Sequence, residues 1–128
     1  MSKVKGGDAF HRMNYLYQVL NHVLENAPSS NNLHCYYGHT MRMISRRIQA
    51  KLHPSIKRTL CKKCSMLLSP GVTCTVRLRG KRSKHQVIRC LTCGTIKRFK
   101  TKKGYSLWYD QPEAQQNFGA QKKVAKQQ

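Results

Sequence analysis

The sequence predicts a small α+β fold: an N-terminal antiparallel helical hairpin, then a four-cysteine ribbon of about three antiparallel strands, then a basic flexible tail. Three observations carry this expectation. Apolar residues recur every three or four positions from Phe10 to Leu52, which is the period of a helix. From Val72 they alternate with polar residues, which is the period of a strand. Two Cys-x-x-Cys pairs, Cys61 with Cys64 and Cys90 with Cys93, bracket that alternating stretch.

Residues 1–7 read as a flexible basic lead, followed by a helical hairpin over 8–53. In the first helix Phe10, Met13, Leu16, Tyr17, Leu20, Val23 and Leu24 share one side, with Asp8 a suitable N-cap. The polar run 26–32, broken by Pro28, suits a reversal of direction. A second helix is expected from about Asn32 to Leu52 on the stripe Leu33, Tyr37, Met41, Ile44, Ile48 and Leu52. Pro54 disfavours helical geometry at His53 and so places its end. Two helices have too little mass to bury every large residue they carry. Phe10, Met13, Tyr15, Leu16, Tyr17, Tyr36 and Tyr37 are therefore expected to offer a surface to another protein.

The ribbon spans 54–105 and the tail 106–128. Val72, Cys74, Val76 and Leu78 alternate with Thr73, Thr75, Arg77 and Arg79 in the first strand. A charged turn over 80–84 leads to Gln86–Arg89, and Thr95–Phe99 supplies the third strand. From about Gln111 the chain is Gln-rich and basic, a composition expected to be disordered when free.

Composition sets two bounds. The chain has 128 residues and 39% apolar content, below the roughly 45–50% usual for a globular domain, so its core is thin and calls for a metal or a partner. Charge is the stronger bound. There are 25 Lys and Arg against four acids, Asp8, Glu25, Asp110 and Glu113. Between Asn26 and Tyr109 lie 19 cations and no carboxylate, a stretch that repels itself unless a polyanion neutralises it. No run approaches the ~20 apolar residues of a membrane span, and no signal peptide is legible, so nucleic acid is the expected partner. The same lack of acids removes the positioned base and the carboxylate ligands that a nuclease needs, and the chain itself is expected to be non-catalytic.

A Cys-x-x-Cys turn presents two thiolates to one tetrahedral ion, and two such turns complete a closed four-cysteine site. With 25 residues between the pairs, a strand-turn-strand insert fits, and Gly94 suits the second turn. The expectation is one structural zinc ion on Cys61, Cys64, Cys90 and Cys93, the plan of a zinc ribbon. Cys35 is expected as a buried or half-buried thiol and Cys74 as core, while the histidines, His34 among them, are expected at the surface. Zinc would bring two cation clusters together: Lys57, Arg58, Lys62 and Lys63 around the first pair, and Arg89, Lys97, Arg98, Lys100, Lys102 and Lys103 around the second. These are the candidate RNA contacts.

The flanking words are more specific than the cysteines. Ile56-Lys57-Arg58-Thr59-Leu60-Cys61-Lys62-Lys63-Cys64, Leu67-Leu68 with Pro70-Gly71-Val72-Thr73-Cys74, and Arg89-Cys90-Leu91-Thr92-Cys93-Gly94-Thr95-Ile96-Lys97-Arg98-Phe99 resemble the zinc-ribbon protein subunit of ribonuclease P, of the archaeal and eukaryotic nuclear type. Phe10-His11-Arg12-Met13-Asn14-Tyr15-Leu16-Tyr17-Gln18 resembles that family's first helix, and Leu107-Trp108 with Pro112-Glu113-Ala114-Gln115 resembles the tail of its animal members. The resemblance implies one protein among several around a catalytic RNA that removes the 5′ leader from precursor tRNA. It also implies a heterodimer with a small-barrel subunit through the helical pair, contact with precursor tRNA as an open question, and a nuclear, often nucleolar, location. A sister protein of the related mitochondrial RNA-processing ribonuclease shares the architecture, so the particle stays open at this point, as does a ribosomal or transcription-type zinc ribbon.

Overall fold

The computed structural model describes residues 6–114, and the expectations for 1–5 and 115–128 lie outside the described residues. Helix α1 (Gly7–Asn26) and helix α2 (Asn31–Arg47) form the hairpin, and a short helix α3 (Pro54–Thr59) follows. Strands β1 (Cys74–Arg79), β2 (His85–Cys90) and β3 (Ile96–Lys100) make an antiparallel sheet in that spatial order. Two 3₁₀ turns, Trp108–Asp110 and Pro112–Ala114, end the described chain.

Three boundaries differ from the sequence expectation, each for a local reason. Gly6, not Asp8, is the N-cap of α1; it takes φ 82°, and Asp8 lies in the first turn, where its charge favours the positive end of the helix. Helix α2 stops at Arg47 rather than Leu52, because Gln49 turns to φ 55° and Ser45 Oγ donates to the Ala50 carbonyl at 2.6 Å. The apolar repeat outlives the helix: Ile48, Leu52 and Ile56 still pack on the core, from irregular chain and from α3. Pro54 opens a helix instead of only ending one. Its missing N–H costs nothing in the first turn, and His53 Nδ1 accepts the Ser55 N–H there.

The core runs across the expected boundary at 53/54. Met13, Leu16 and Leu20 of α1 and Met41 of α2 pack in one cluster with Leu60 and Leu67, the residues on either side of the first cysteine pair. Tyr17 shares a hydrogen bond with Thr59 at 3.1 Å across the same junction. Helices and ribbon thus bury one another, which is how so short and polar a chain assembles a core. His34 corrects the surface expectation. It is fully buried, with Nε2 against the Ala27 carbonyl at 3.2 Å, so its ring serves the turn between the helices.

Helix α2 approaches the first cysteine loop more closely than any side chain permits. A Cβ on Gly38 would lie 2.0 Å from the Ser65 carbonyl oxygen. In an open helix interior Gly38→Ala should stabilise by about 1 kcal/mol; here overpacking against backbone should destabilise by ~1–3 kcal/mol or more. Urea unfolding followed by circular dichroism checks the sign.

Candidate metal centre and basic face

The two Cys-x-x-Cys turns share one backbone design. In each, the first cysteine's carbonyl accepts the N–H four residues on: from Ser65 to Cys61 at 3.2 Å and from Gly94 to Cys90 at 3.0 Å. In each, the first cysteine's N–H donates to the carbonyl five residues on, Met66 at 2.8 Å and Thr95 at 3.0 Å. The residue after the second cysteine takes positive φ, 72° at Gly94 and 61° at Ser65. Gly94 does so at no steric cost. Ser65 is held there by tertiary contacts: its Oγ accepts from Arg42 at 2.9 Å, and its backbone lies against Gly38.

These turns bring the four thiols together. All four sulfurs lie within 4.8 Å of one another. Cys61 and Cys93 are 3.4 Å apart and Cys64 and Cys90 3.7 Å, close to the ~3.8 Å edge of a tetrahedron built on ~2.3 Å metal–sulfur bonds. Cys61 and Cys90 are fully buried, Cys64 and Cys93 half-buried. Burial pushes the Cys64 and Cys90 thiols up, since neither can ionise easily away from water. At Cys93 burial also pushes upward, but the Thr95 hydroxyl at 3.0 Å, the Thr95 backbone and its thiol neighbours outweigh it and bring the group down to about 6. Four sulfurs so placed fit a soft divalent cation, which replaces protons that burial otherwise retains.

Cys35 and Cys74 are not in this set. Cys35, on α2, packs half-buried beside it, and Cys74 is buried opposite Cys90 in the β1–β2 register, as expected for core. The alternation in β1 is less faithful to burial than the sequence suggests, for Leu78 is 77% exposed at the far end of a sheet that nothing among the described residues covers there.

The register sorts the cations by face. Arg79 pairs with His85 and His85 with Lys100; Arg77 pairs with Val87 and Val87 with Arg98; Thr75 pairs with Arg89 and Arg89 with Ile96. Directly opposed residues project to the same side. Arg77, Arg79, Arg89, Arg98 and Lys100 therefore share one face, and all five are exposed. Arg77 and Arg79 escape the expectation built on proximity to the cysteines; strand alternation extended across the register is the signal that finds them. Lys57, Lys62, Lys63, Lys102 and Lys103 are exposed elsewhere, while Arg58 lies over the Phe99 ring at 4.6 Å on the opposite face. Lys97 is turned differently from these. Its ammonium turns inward to the carbonyls of Leu60 and of Lys57, the latter at 3.2 Å.

Of the expected protein-contact residues, Met13 and Leu16 are buried in the chain's own core, at 6% and 7% exposure, and Tyr17 and Tyr37 pack against it. Phe10, Tyr15 and Tyr36 are exposed, both tyrosines at 65%.

A helical hairpin sharing its core with a four-cysteine ribbon, whose sheet carries a cationic face, defines a small α+β protein organised around a candidate metal centre. Residues 12–94 match the family described as the RNAse P Rpr2/Rpp21/SNM1 subunit domain, and the chain belongs to that family. It is similar to ribonuclease P protein subunit p21 of Homo sapiens, 45% identical over 113 residues that cover 88% of this chain and 73% of the relative. It is also similar to ribonuclease P protein component 4 of Pyrococcus furiosus, 35% identical over 97 residues covering 76% of this chain and 80% of the relative. Among solved structures, a chain of an archaeal ribonuclease P determined by cryo-EM with mature tRNA superposes with a TM-score of 0.68 at 29% identity, covering 78% of this chain and 81% of that one.

Metal removal should act beyond the ribbon, because Leu60 and Leu67 flank the first turn and belong to the hairpin's core. Chelation, or Cys61→Ser, should lower the helical signal in circular dichroism as well as lose the sheet. Metal uptake should release protons, and its affinity should rise with pH through the neutral range, since the raised Cys64 and Cys90 thiols must ionise to bind. Titration in two buffers of different ionisation enthalpy measures the protons released.

Proposed function

We propose that the chain is a non-catalytic, RNA-binding subunit of ribonuclease P, built around one structural zinc ion and working beside the catalytic RNA in removal of the 5′ leader from precursor tRNA. The observation that carries this reading is the outer sheet face, where five cations from three strands stand together with no carboxylate between Asn26 and Tyr109 to neutralise them. Family membership and the p21 relatives supply the particle. Zinc is favoured by four thiolates in a closed tetrahedral set, which leaves no open position for a catalytic ion.

Folded RNA is recognised through its backbone and shape, and a flat row of Arg and Lys meets that demand. Arg77, Arg79, Arg89 and Arg98 offer planar bidentate donors to phosphate, and Lys100 a point charge. Lys57, Lys62, Lys63, Lys102 and Lys103 extend the field. Neutralised phosphates let the RNA close on its substrate, so the subunit raises activity without supplying a reacting group. The archaeal relative's structure with mature tRNA supports tRNA or its precursor as a further contact.

The hairpin supplies the protein contact. Phe10, Tyr15 and Tyr36 remain exposed, and Phe10 also lines a shallow groove of about 220 Å³ with Tyr17, Leu52 and Ile56. A small-barrel subunit forming a heterodimer is the partner this surface takes. The setting that goes with this reading is a nuclear, nucleolar ribonucleoprotein, as the family resemblance implies.

Arg77→Ala with Arg79→Ala should weaken RNA binding and flatten its salt dependence by about 0.7–0.9 in log K per log salt for each phosphate no longer neutralised. Filter binding across a salt series reads both, and an unchanged slope overturns the sheet-face assignment. Cleavage of precursor tRNA by the zinc-loaded chain without RNA overturns the subunit reading itself.

Tyr15→Asp with Tyr36→Asp should release the protein partner while leaving zinc content and helicity at the wild-type level. Size-exclusion chromatography with metal analysis and circular dichroism checks this; a variant still bound to the partner removes the hairpin from the interface.

A further inference from the structure

Two cations, Lys97 from the expected RNA contacts and Arg42 from outside them, bond the chain on either side of the first cysteine pair. Lys97 of β3 donates to the carbonyls of Leu60 and Lys57, and so touches the chain at the residue before Cys61. Arg42 of α2 donates from Nη1 to the Lys62 carbonyl and to Ser65 Oγ, both at 2.9 Å. The two side chains come from different elements and grip the six residues Leu60–Ser65, in which both ligands of the first turn lie. Four thiolates around a divalent ion leave a dianion, and here Cys61 and Cys90 are fully buried. A buried charge without a counter-charge is costly. The chain has no surplus of acids for these cations to serve, and it has abundant solvent for them to reach; they are turned inward instead.

We propose that Lys97 and Arg42 are the counter-ions and positioning residues of the metal centre, each fixing one end of the first cysteine turn and together balancing the charge of the tetrathiolate. The assignment rests on the reading of the centre as a zinc site. It removes Lys97 from the RNA contacts and gives Arg42, which neither the cysteine spacing nor the family resemblance singles out, a defined task. Burial lowers the Lys97 ammonium most strongly, Cys61 acts to raise it, and the nearby charges of Arg42, Lys57 and Lys62 lower it further; the assignment rests on the hydrogen bonds of the two side chains and not on this shift. Outer groups that hold and polarise metal ligands typically change metal affinity by about 10–100-fold when removed.

The test uses the full zinc-loaded chain. Zinc affinity is measured by competition with a chromogenic chelator, and the thiolate-to-metal charge-transfer band is read after cobalt(II) substitution. Lys97→Met should weaken zinc binding by about 10–100-fold and shift the cobalt band. Lys97→Arg, which keeps the charge, should recover most of the affinity, a rescue that mere space-filling does not predict. Arg42→Gln keeps a donor for Ser65 but removes the charge, and should weaken zinc in the same direction. Wild-type affinity in Arg42→Gln, or equal affinities for Lys97→Met and Lys97→Arg, overturns the proposal whatever the folding of either variant. Wild-type chain that takes up no zinc overturns the zinc reading instead, so the two failures are told apart.

Discussion

The contact between helix α2 and the first cysteine turn is the constraint on which the other features hang. Gly38 lets the helix backbone come against Ser65, and Arg42, one turn further along the same helix, holds that turn by its carbonyl and its serine. Because the turn is pinned there, Leu60 and Leu67 fall into the hairpin's core on either side of it. The second turn then meets the first across the metal site, and the sheet that carries it inherits its position. A chain with so few apolar residues cannot build separate cores for its helices and its ribbon. Sharing one, with four clustered thiols at the ribbon end, is the solution adopted.

Electrostatics follow from the same geometry. With four acids in the sequence, salt bridges have little role, and the cations are disposed by the backbone that carries them. Strand alternation sends Arg77, Arg79, Arg89, Arg98 and Lys100 to one side of the sheet and Lys97 to the other. The side facing solvent concentrates positive charge on a rigid surface, which raises its attraction for a polyanion above that of the same residues on a loose coil. On the inner side one cation meets the carbonyls ahead of Cys61, and Arg58 lies over Phe99. A single strand thus serves both the metal end of the fold and its exterior.

The hairpin divides its large residues in a comparable way. Leucine and methionine at the centre of the stripe are spent on the core, whereas Tyr15 and Tyr36 at its margins keep their rings in solvent. A further exposed group, Tyr105, Trp108 and Tyr109, follows β3, and the Tyr109 ring meets His53 edge-on at 4.6 Å. The residues just ahead of the Gln-rich tail thus touch the junction between hairpin and ribbon.

Much of the fold was legible in local pattern. The helix periods, the alternation in β1 and the paired cysteines are short-range signals, and each marks an element that the structure contains. The thiol cluster was legible for the same reason: a Cys-x-x-Cys turn is a local conformation, and four thiols at its spacing have few other uses. What local pattern could not contain was long-range. Gly38 reads as a weak helix residue until Ser65 is placed against it, and Arg42 reads as one more surface cation until the cysteine turn arrives beneath it. Lys97 and Arg98 are neighbours of the same charge, separated in role only by the alternation of a strand whose two faces meet different surroundings. Residue identity and spacing determined the elements and the ligands; the side of each element that would be buried depended on contacts between segments 20 to 40 residues apart, and only the tertiary structure supplied those.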